Sequence, residues 1–266
     1  MAMAPSKTPQ SVAAPRTPEL VPLLEARNPD VADSHASAVR LMFDRISPTY
    51  DLLNRLLSLG IDRRWRARAL AELTRALPTG PLVDLCAGTL DLSVAMQARW
   101  PGRTLLSLDF ARDMLLAGRG KLTVSADSPT QCIIADAKQL PLASQSIAGV
   151  ICGFGVRNVS DPRSALREMA RVLKPGGVCV VLEFFRPSNV LTHLFHAVYG
   201  GLMLPLVGRL VSGDAQAYSY LSRSMQGFMS RREFEQALRD AGFDRVESQD
   251  LSLGIASIVR GVRGAC

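Results

Sequence analysis

The stretch LVDLCAGTLDLSVAM, residues 82–96, decides the fold. It begins as a short apolar strand, passes through the small residues Ala87 and Gly88, and continues as a helix. An apolar strand, a tight small-residue turn and a helix open a βαβ unit, whose turn faces a ligand. Gly88 carries no Cβ, so backbone there can approach that ligand closely. Leu90 stands where a third small residue is expected. It reads as the first helical residue, a position that suits leucine. Its side chain then faces either the sheet–helix interface or the ligand.

Outward from this stretch the same rhythm repeats. TLLSLDF (104–110), QCIIAD (131–136), SIAGVICGF (146–154) and VCVVLEFF (178–185) read as strands. Helices are expected between them, the clearest being PRSALREMARVL (162–173), followed by a KPGG turn. Strands and helices alternating at this spacing imply right-handed crossovers, a parallel sheet and helices on both faces. RREFEQALRDAGF (231–243) is one more amphipathic helix. RVESQDLS and IASIVRGV, with Gly254 between them, are expected to pair as an antiparallel hairpin on the sheet edge.

The flanks differ. Residues 1–30, rich in Pro, Ala, Ser and Thr, read as a disordered leader. Residues 31–266 read as one α/β domain. Within it, 31–78 form three helices, the second starting at Tyr50 and the third capped by Asp62, and 188–226 form a mostly helical insertion.

Hydrophobic residues make up 47% of the 266 and charged residues 21%, a globular balance. The net charge is +7, but the Lys and Arg residues are scattered and no aromatic-rich basic stripe accompanies them. That argues against nucleic acid and leaves an anionic membrane surface in play. Cys86, Cys132, Cys152, Cys179 and Cys266 form no C-x-x-C pair and read as reduced thiols in a cytoplasmic protein. His193 and His196 lack acidic or thiol companions at metal spacing, so no metal is expected.

Three strands end in acid: Asp84, Asp109 and the pair Asp136-Ala137. Asp109 follows Asp84 by 25 residues, the place where a carboxylate accepts both hydrogen bonds of a ribose diol. Asp136-Ala137 is placed to meet an adenine. Gly88, Thr89 and Gly153 complete the candidate cofactor set. A dinucleotide site wants G-x-G-x-x-G, and CAGTLD lacks it; Asp91 would repel a pyrophosphate. S-adenosylmethionine has no phosphate and carries two cationic groups, which suit Asp84 and Asp91. The terminal hairpin agrees, so the expected fold is the Rossmann-like class I S-adenosylmethionine-dependent methyltransferase.

Longer strings narrow this further. MFDRISPTYDLLNRLLSLGIDRRWR (42–66), GFGVRNVSDPRSALREMARVLKPGG (153–177), LEFFRPSN (182–189), SGDAQAYSYLSRSM (212–225) and LSLGIASIVRG (251–261) resemble the signatures of the C-methyltransferases of ubiquinone and menaquinone biosynthesis. The match covers about residues 36–263. The family usually has Gly at the position of Leu90, His at Asp62 and Ser at Gly153. The resemblance implies methylation of a ring carbon of a polyprenyl quinol, demethylmenaquinol before a benzoquinol. Arg157 and Asn158 are then the catalytic candidates, with Tyr50, Asn54 and Trp65 in a lid over the ring. The apolar segment at 191–213 would face the membrane. The resemblance also implies transient contact with the inner face of the membrane and leaves a homodimer open. Two alternatives stay open: a small-molecule methyltransferase of secondary metabolism, and a non-catalytic relative with a degenerate pocket.

Overall fold

The computed structural model describes residues 22–25, 34–75, 77–124, 129–187, 220 and 223–265. The strands are β1 (Leu23–Glu25), β2 (Leu82–Leu85), β3 (Leu105–Asp109), β4 (Thr130–Ile134), β5 (Ile147–Gly153), β6 (Leu173–Glu183), β7 (Glu247–Leu251) and β8 (Ala256–Val262). The helices are α1 (Ser34–Ile46), α2 (Tyr50–Ser58), α3 (Asp62–Thr74), α4 (Asp91–Arg99), α5 (Arg112–Gly118), α6 (Pro162–Val172) and α7 (Arg231–Asp240).

The strands join in one sheet in the order β1-β4-β3-β2-β5-β6-β8-β7. β2 to β6 run parallel, while β8 pairs antiparallel with both β6 and β7. The expected parallel sheet with an antiparallel terminal hairpin is therefore what the chain forms. The chain leaves β2 for β3 on one side and returns to β5 on the other. Strand order reverses there, which opens a crevice at the carboxyl ends of β2 and β5.

Side-chain alternation builds the layers. Val83, Leu85, Cys179 and Val181 pack with Leu166, Met169 and Phe234 of α6 and α7. Their neighbours Leu82, Val180 and Leu182 pack with Trp65, Leu73 and Met96 of α3 and α4. A strand buried on both faces needs apolar residues at both parities, which is why these strands read as continuous apolar runs. Local signals set the helix starts: Asp161 accepts the Ser164 N–H with Pro162 at the first position, and Ser230 with Glu233 forms a capping box.

Four local expectations are corrected. Residues 23–25 of the expected leader form β1, whose residues pair with Cys132 to Ile134 of β4. Residues 174–177 bulge from the β5–β6 ladder instead of preceding β6, as the register passes from Ile147↔Leu173 to Gly149↔Val178. The hairpin turn is wider than Gly254 alone, because Ser252, Leu253 and Gly254 all take positive φ. Asp62 is the first residue of α3, with Ile61 at its cap position, and no side chain caps that end. The rest of the leader, the apolar segment at 191–213, the histidine pair and Cys266 lie outside the described residues. Cys86, Cys132, Cys152 and Cys179 are free thiols, all but Cys86 fully buried.

Candidate active site

Two adjoining chambers open above the carboxyl ends of the central strands. The first, with about 760 Å³ of void including its mouth, is lined by Gly88, Asp109, Met114, Asp136 and Ala137 and roofed by Val39 and Arg40 of α1. The second, with about 900 Å³, is lined by Asn54, Trp65, Arg157, Phe184, Tyr220 and Met225. Phe43, Tyr50, Phe154 and Asn158 line both, so the chambers meet at these four residues.

The loop after β2 alternates left-handed residues: Cys86 at φ 55, Gly88 at φ 53 and Leu90 at φ 69. A β-carbon on Gly88 would already touch Met114 Cε at 3.4 Å, so a side chain there would enter the chamber. Leu90 is the N-cap of α4, not its first helical residue. A left-handed non-glycine residue costs about 1–2 kcal/mol. The leucine side chain offsets that cost by complete burial against Leu115, Leu122, Cys132 and Ile134. It points into the sheet–helix interface and away from the chamber.

Asp109 lines the first chamber with both oxygens held by backbone: Gly88 N–H donates to Oδ2 at 2.8 Å and Ala111 N–H to Oδ1 at 2.7 Å. Burial pushes its carboxyl up to about 6, and those N–H groups pull it part of the way back. Asp136 also lines the chamber; its Oδ1 accepts the Lys138 N–H at 2.8 Å and its Oδ2 lies 3.6 Å from Lys138 Nζ.

Four residues assigned to the cofactor do not line either chamber. Asp84 is buried between sheet and α4, where Ser93 Oγ donates to it at 2.5 Å, and burial pushes its carboxyl up to about 7. Thr89 turns away and donates to Asp51 of α2 at 2.5 Å. Gly153 is needed for packing, since a β-carbon there would lie 2.6 Å from Leu92 Cδ1. Asp91 is held by Lys121 at 2.9 Å and Arg66 at 3.3 Å and lines neither chamber. For Asp84, Thr89 and Asp91 a nearer group inside the protein takes at least one side-chain oxygen, and at Gly153 packing leaves no room for a side chain. Asp51 bonds Lys121 as well as Thr89, and although burial opposes it, these bonds hold its carboxyl below the ordinary range. The network thus ties α2 to the cofactor-side loop.

Arg157 reaches the second chamber from the turn after β5. Its side chain is 5% exposed, and its Nη1 donates to Glu183 Oε1 at 2.6 Å and to the Phe154 carbonyl at 2.6 Å. Its guanidinium lies 5.6 Å from the Phe184 ring centroid, and its Nε has no hydrogen-bond partner. Glu183 at the end of β6 is fully buried; burial pushes its carboxyl up, and Arg157 pulls it back. Asn158 Oδ1 is also buried without a partner. Tyr50 packs edge-on against Phe43 at 6.2 Å, and Asn54 lines the second chamber alone. Trp65 is both wall and core: it packs with Phe154 and Phe184, and its indole N–H donates to Ser252 Oγ at 3.0 Å.

Glu183 is a charged site residue that the sequence reading passes over. The signal was there, since a lone carboxylate ending the apolar run VCVVLEFF is rarely buried without a partner. Phe154 and Phe184 were missed because aromatic residues at strand ends look like core, and nothing local to Tyr220 marks it as a chamber residue.

A model of the ubiE/COQ5 methyltransferase family matches residues 31–263. The chain belongs to this family. It is 42% identical over 224 residues to the ubiquinone/menaquinone biosynthesis C-methyltransferase UbiE of Syntrophotalea carbinolica, covering 84% of this chain and 93% of that one. It is 40% identical over 222 residues to the demethylmenaquinone methyltransferase of Thermus thermophilus, covering 84% and 100%. A solved S-adenosylmethionine-dependent methyltransferase of Thermotoga maritima shares the fold at a TM-score of 0.58, with 20% identity over 84% of this chain and 99% of that one. This member of the ubiE/COQ5 family is thus an S-adenosylmethionine-dependent methyltransferase with the class I fold. Among its described residues no helix is long and apolar enough to cross a membrane.

Proposed function

We propose that the protein methylates a ring carbon of a polyprenyl quinol at the inner face of the membrane, converting demethylmenaquinol to menaquinol; a ubiquinone-pathway benzoquinol is the neighbouring substrate. The observation that carries this reading is the pair of chambers meeting at Phe43, Tyr50, Phe154 and Asn158. One presents strand-end carboxylates; the other is aromatic with a buried Arg157–Glu183 pair in its wall.

The first chamber fits S-adenosylmethionine by its donor set. Asp109 retains lone pairs for the ribose diol after accepting two N–H bonds, and Asp136 with Ala137 faces the adenine. Gly88 leaves room for the ligand against bare backbone. When bound, S-adenosylmethionine supplies an electrophilic methyl group.

The second chamber prepares the nucleophile. A hydroquinone whose hydroxyl passes its proton to a water at the chamber mouth gains electron density at the adjacent ring carbon; that carbon takes the methyl group and then releases its own ring proton to solvent. Arg157 disperses the developing phenolate charge; its pKa above about 12 makes it a poor base. Glu183 holds the guanidinium in place. Asn158, with a free Oδ1 at the junction, orients the ring hydroxyl. Phe154, Phe184 and Tyr50 exclude water and align ring against methyl, since the reacting atoms must sit about 3–3.5 Å apart.

The test is turnover of chemically reduced demethylmenaquinone with a short prenyl tail, read by mass spectrometry. One added ring methyl is expected from the quinol and none from the oxidised quinone. Arg157→Ala should lower kcat by about 10²–10³-fold, and Arg157→Lys should rescue only part of that loss. Because Arg157→Ala strands Glu183, the double variant Arg157→Met, Glu183→Gln separates turnover from folding. A protein that binds S-adenosylmethionine but leaves every quinol unmethylated would sink the reading.

A further inference from the structure

We propose that the outer face of α2 is the surface by which this protein docks on an anionic lipid bilayer. The inference rests on the quinol reading and names the part of the molecule that serves it.

The two faces of α2 have opposite tasks. Tyr50, Asn54, Leu57 and Ser58 line the second chamber. Leu52, Leu56 and Leu59 are 53%, 48% and 92% exposed. Their spacing, i, i+4 and i+7, puts them in one stripe on the far side of the helix. Single exposed leucines are ordinary on a soluble protein, but two on this nine-residue helix and a third directly after its last turn form a ridge.

Leu59 is the sharpest case. It follows the last turn of α2 in a left-handed conformation, φ 49. Helix ends assign that conformation to Gly or Asn, and nothing in the described structure covers this side chain. Leu90 also takes a left-handed φ, but it is fully buried in return. Leu59 has no such compensation within the described residues.

Charge selects a bilayer over an apolar protein surface. Arg55 lies within the leucine stripe and is exposed, and Arg63 and Arg64 are exposed at the start of α3. Arg55 feels Asp51 one turn before it, while no carboxylate of the described residues pairs with Arg63 or Arg64. The nearby acids are turned inward: Asp51 bonds Thr89 and Lys121, and Asp62 bonds Ser58 and Arg66. The ridge is therefore leucine beside an excess of positive charge, since Asp51 is already engaged by Lys121. That composition matches acyl chains beneath anionic headgroups. Docking by this face sets one helix thickness, about 10 Å, between the chamber and the lipid. A quinol can then offer its ring to the chamber while its tail stays among the acyl chains.

The test is co-sedimentation of the full chain with vesicles of phosphatidylcholine, with and without phosphatidylglycerol. The protein should sediment with the anionic vesicles and release at high salt. Leu56→Glu with Leu59→Glu should lower partitioning by at least about tenfold, and Arg55→Gln, Arg63→Gln, Arg64→Gln should lower it less. S-adenosylmethionine affinity and turnover of a short-tailed soluble quinol should stay unchanged in both variants. Unchanged sedimentation of the leucine variant overturns the proposal. So does a lowered melting temperature, which would show residues 188–219 of the same chain covering the ridge, or a halved mass by light scattering, which would show a second copy there. If the wild type binds vesicles yet methylates no quinol, the docking face stands and the quinol reading falls.

Discussion

The two chambers hold their charges by different means. In the first, Asp109 is held by backbone: both oxygens accept N–H groups from residues close to the strand ends, and the carboxylate remains open to the cavity. In the second, Arg157 and Glu183 hold each other and are sealed from water at 5% and 0% exposure. A site for a polar ligand can leave its carboxylate partly wet, because the ligand completes the hydrogen bonding. A site for an apolar ring excludes water, so its charge must arrive already neutralised by an internal partner. The difference predicts which substitutions damage folding and which damage only binding.

Breaking the buried pair should have the largest effect. Glu183→Ala leaves the Arg157 guanidinium uncompensated in an apolar wall and should cost about 3–5 kcal/mol of stability in denaturant unfolding. Glu183→Gln should cost less, because it keeps an acceptor. If Glu183→Ala unfolds at the wild-type midpoint, the pair is not the structural centre of the second chamber.

Removing the first chamber's acid should act mainly on binding. Asp109→Ala is expected to weaken S-adenosylmethionine binding by about 1.5–3 kcal/mol by calorimetry, the scale of hydrogen bonds to a charged group. Unaltered affinity would remove Asp109 from the cofactor site. Asp109→Asn, which retains one acceptor, should fall between.

Leu90 sharpens the contrast within a single loop. Leu90→Gly relieves a left-handed strain of about 1–2 kcal/mol, yet forfeits burial whose loss in Leu→Ala changes costs about 2–5 kcal/mol. The net expectation is a destabilisation of about 1–3 kcal/mol with cofactor affinity unchanged, because the side chain packs between α5 and β4 and away from the chamber. A rise in affinity on Leu90→Gly would mean that the leucine does intrude on the cofactor.

The smallest effect is in pH. The Asp109 carboxyl of the ligand-free protein is pushed up to about 6 by burial. The ribose needs the ionised form, so affinity should be level above pH 7 and fall by up to about tenfold per unit as pH drops through 6. Asp109→Asn should bind more weakly than wild type at neutral pH but without that fall. A fall of equal steepness in both proteins would assign the titration to another group.

Much of this was legible in the chain. Alternating strands and helices are recorded in neighbouring residues, so the parallel sheet and the antiparallel hairpin could be read directly. That Asp109, Asp136 and Ala137 line a chamber was legible too, because the end of a strand in such a sheet is also its ligand edge. Asp84, Thr89 and Gly153 sat at the same edge, but the edge does not say which way a side chain turns. Ser93, Asp51 and Leu92, from α4 and α2, decided that.

The sequence by itself determined the sheet, the family and the strand-end acids, since each is written in residues a few positions apart. Tertiary structure alone decided that Leu90 turns inward, that Arg157 meets Glu183 across 26 residues, and that α2 lines a chamber with one face while exposing leucines on the other. Periodicity reports which residues share a face; what that face meets depends on segments brought together only when the sheet closes around its core.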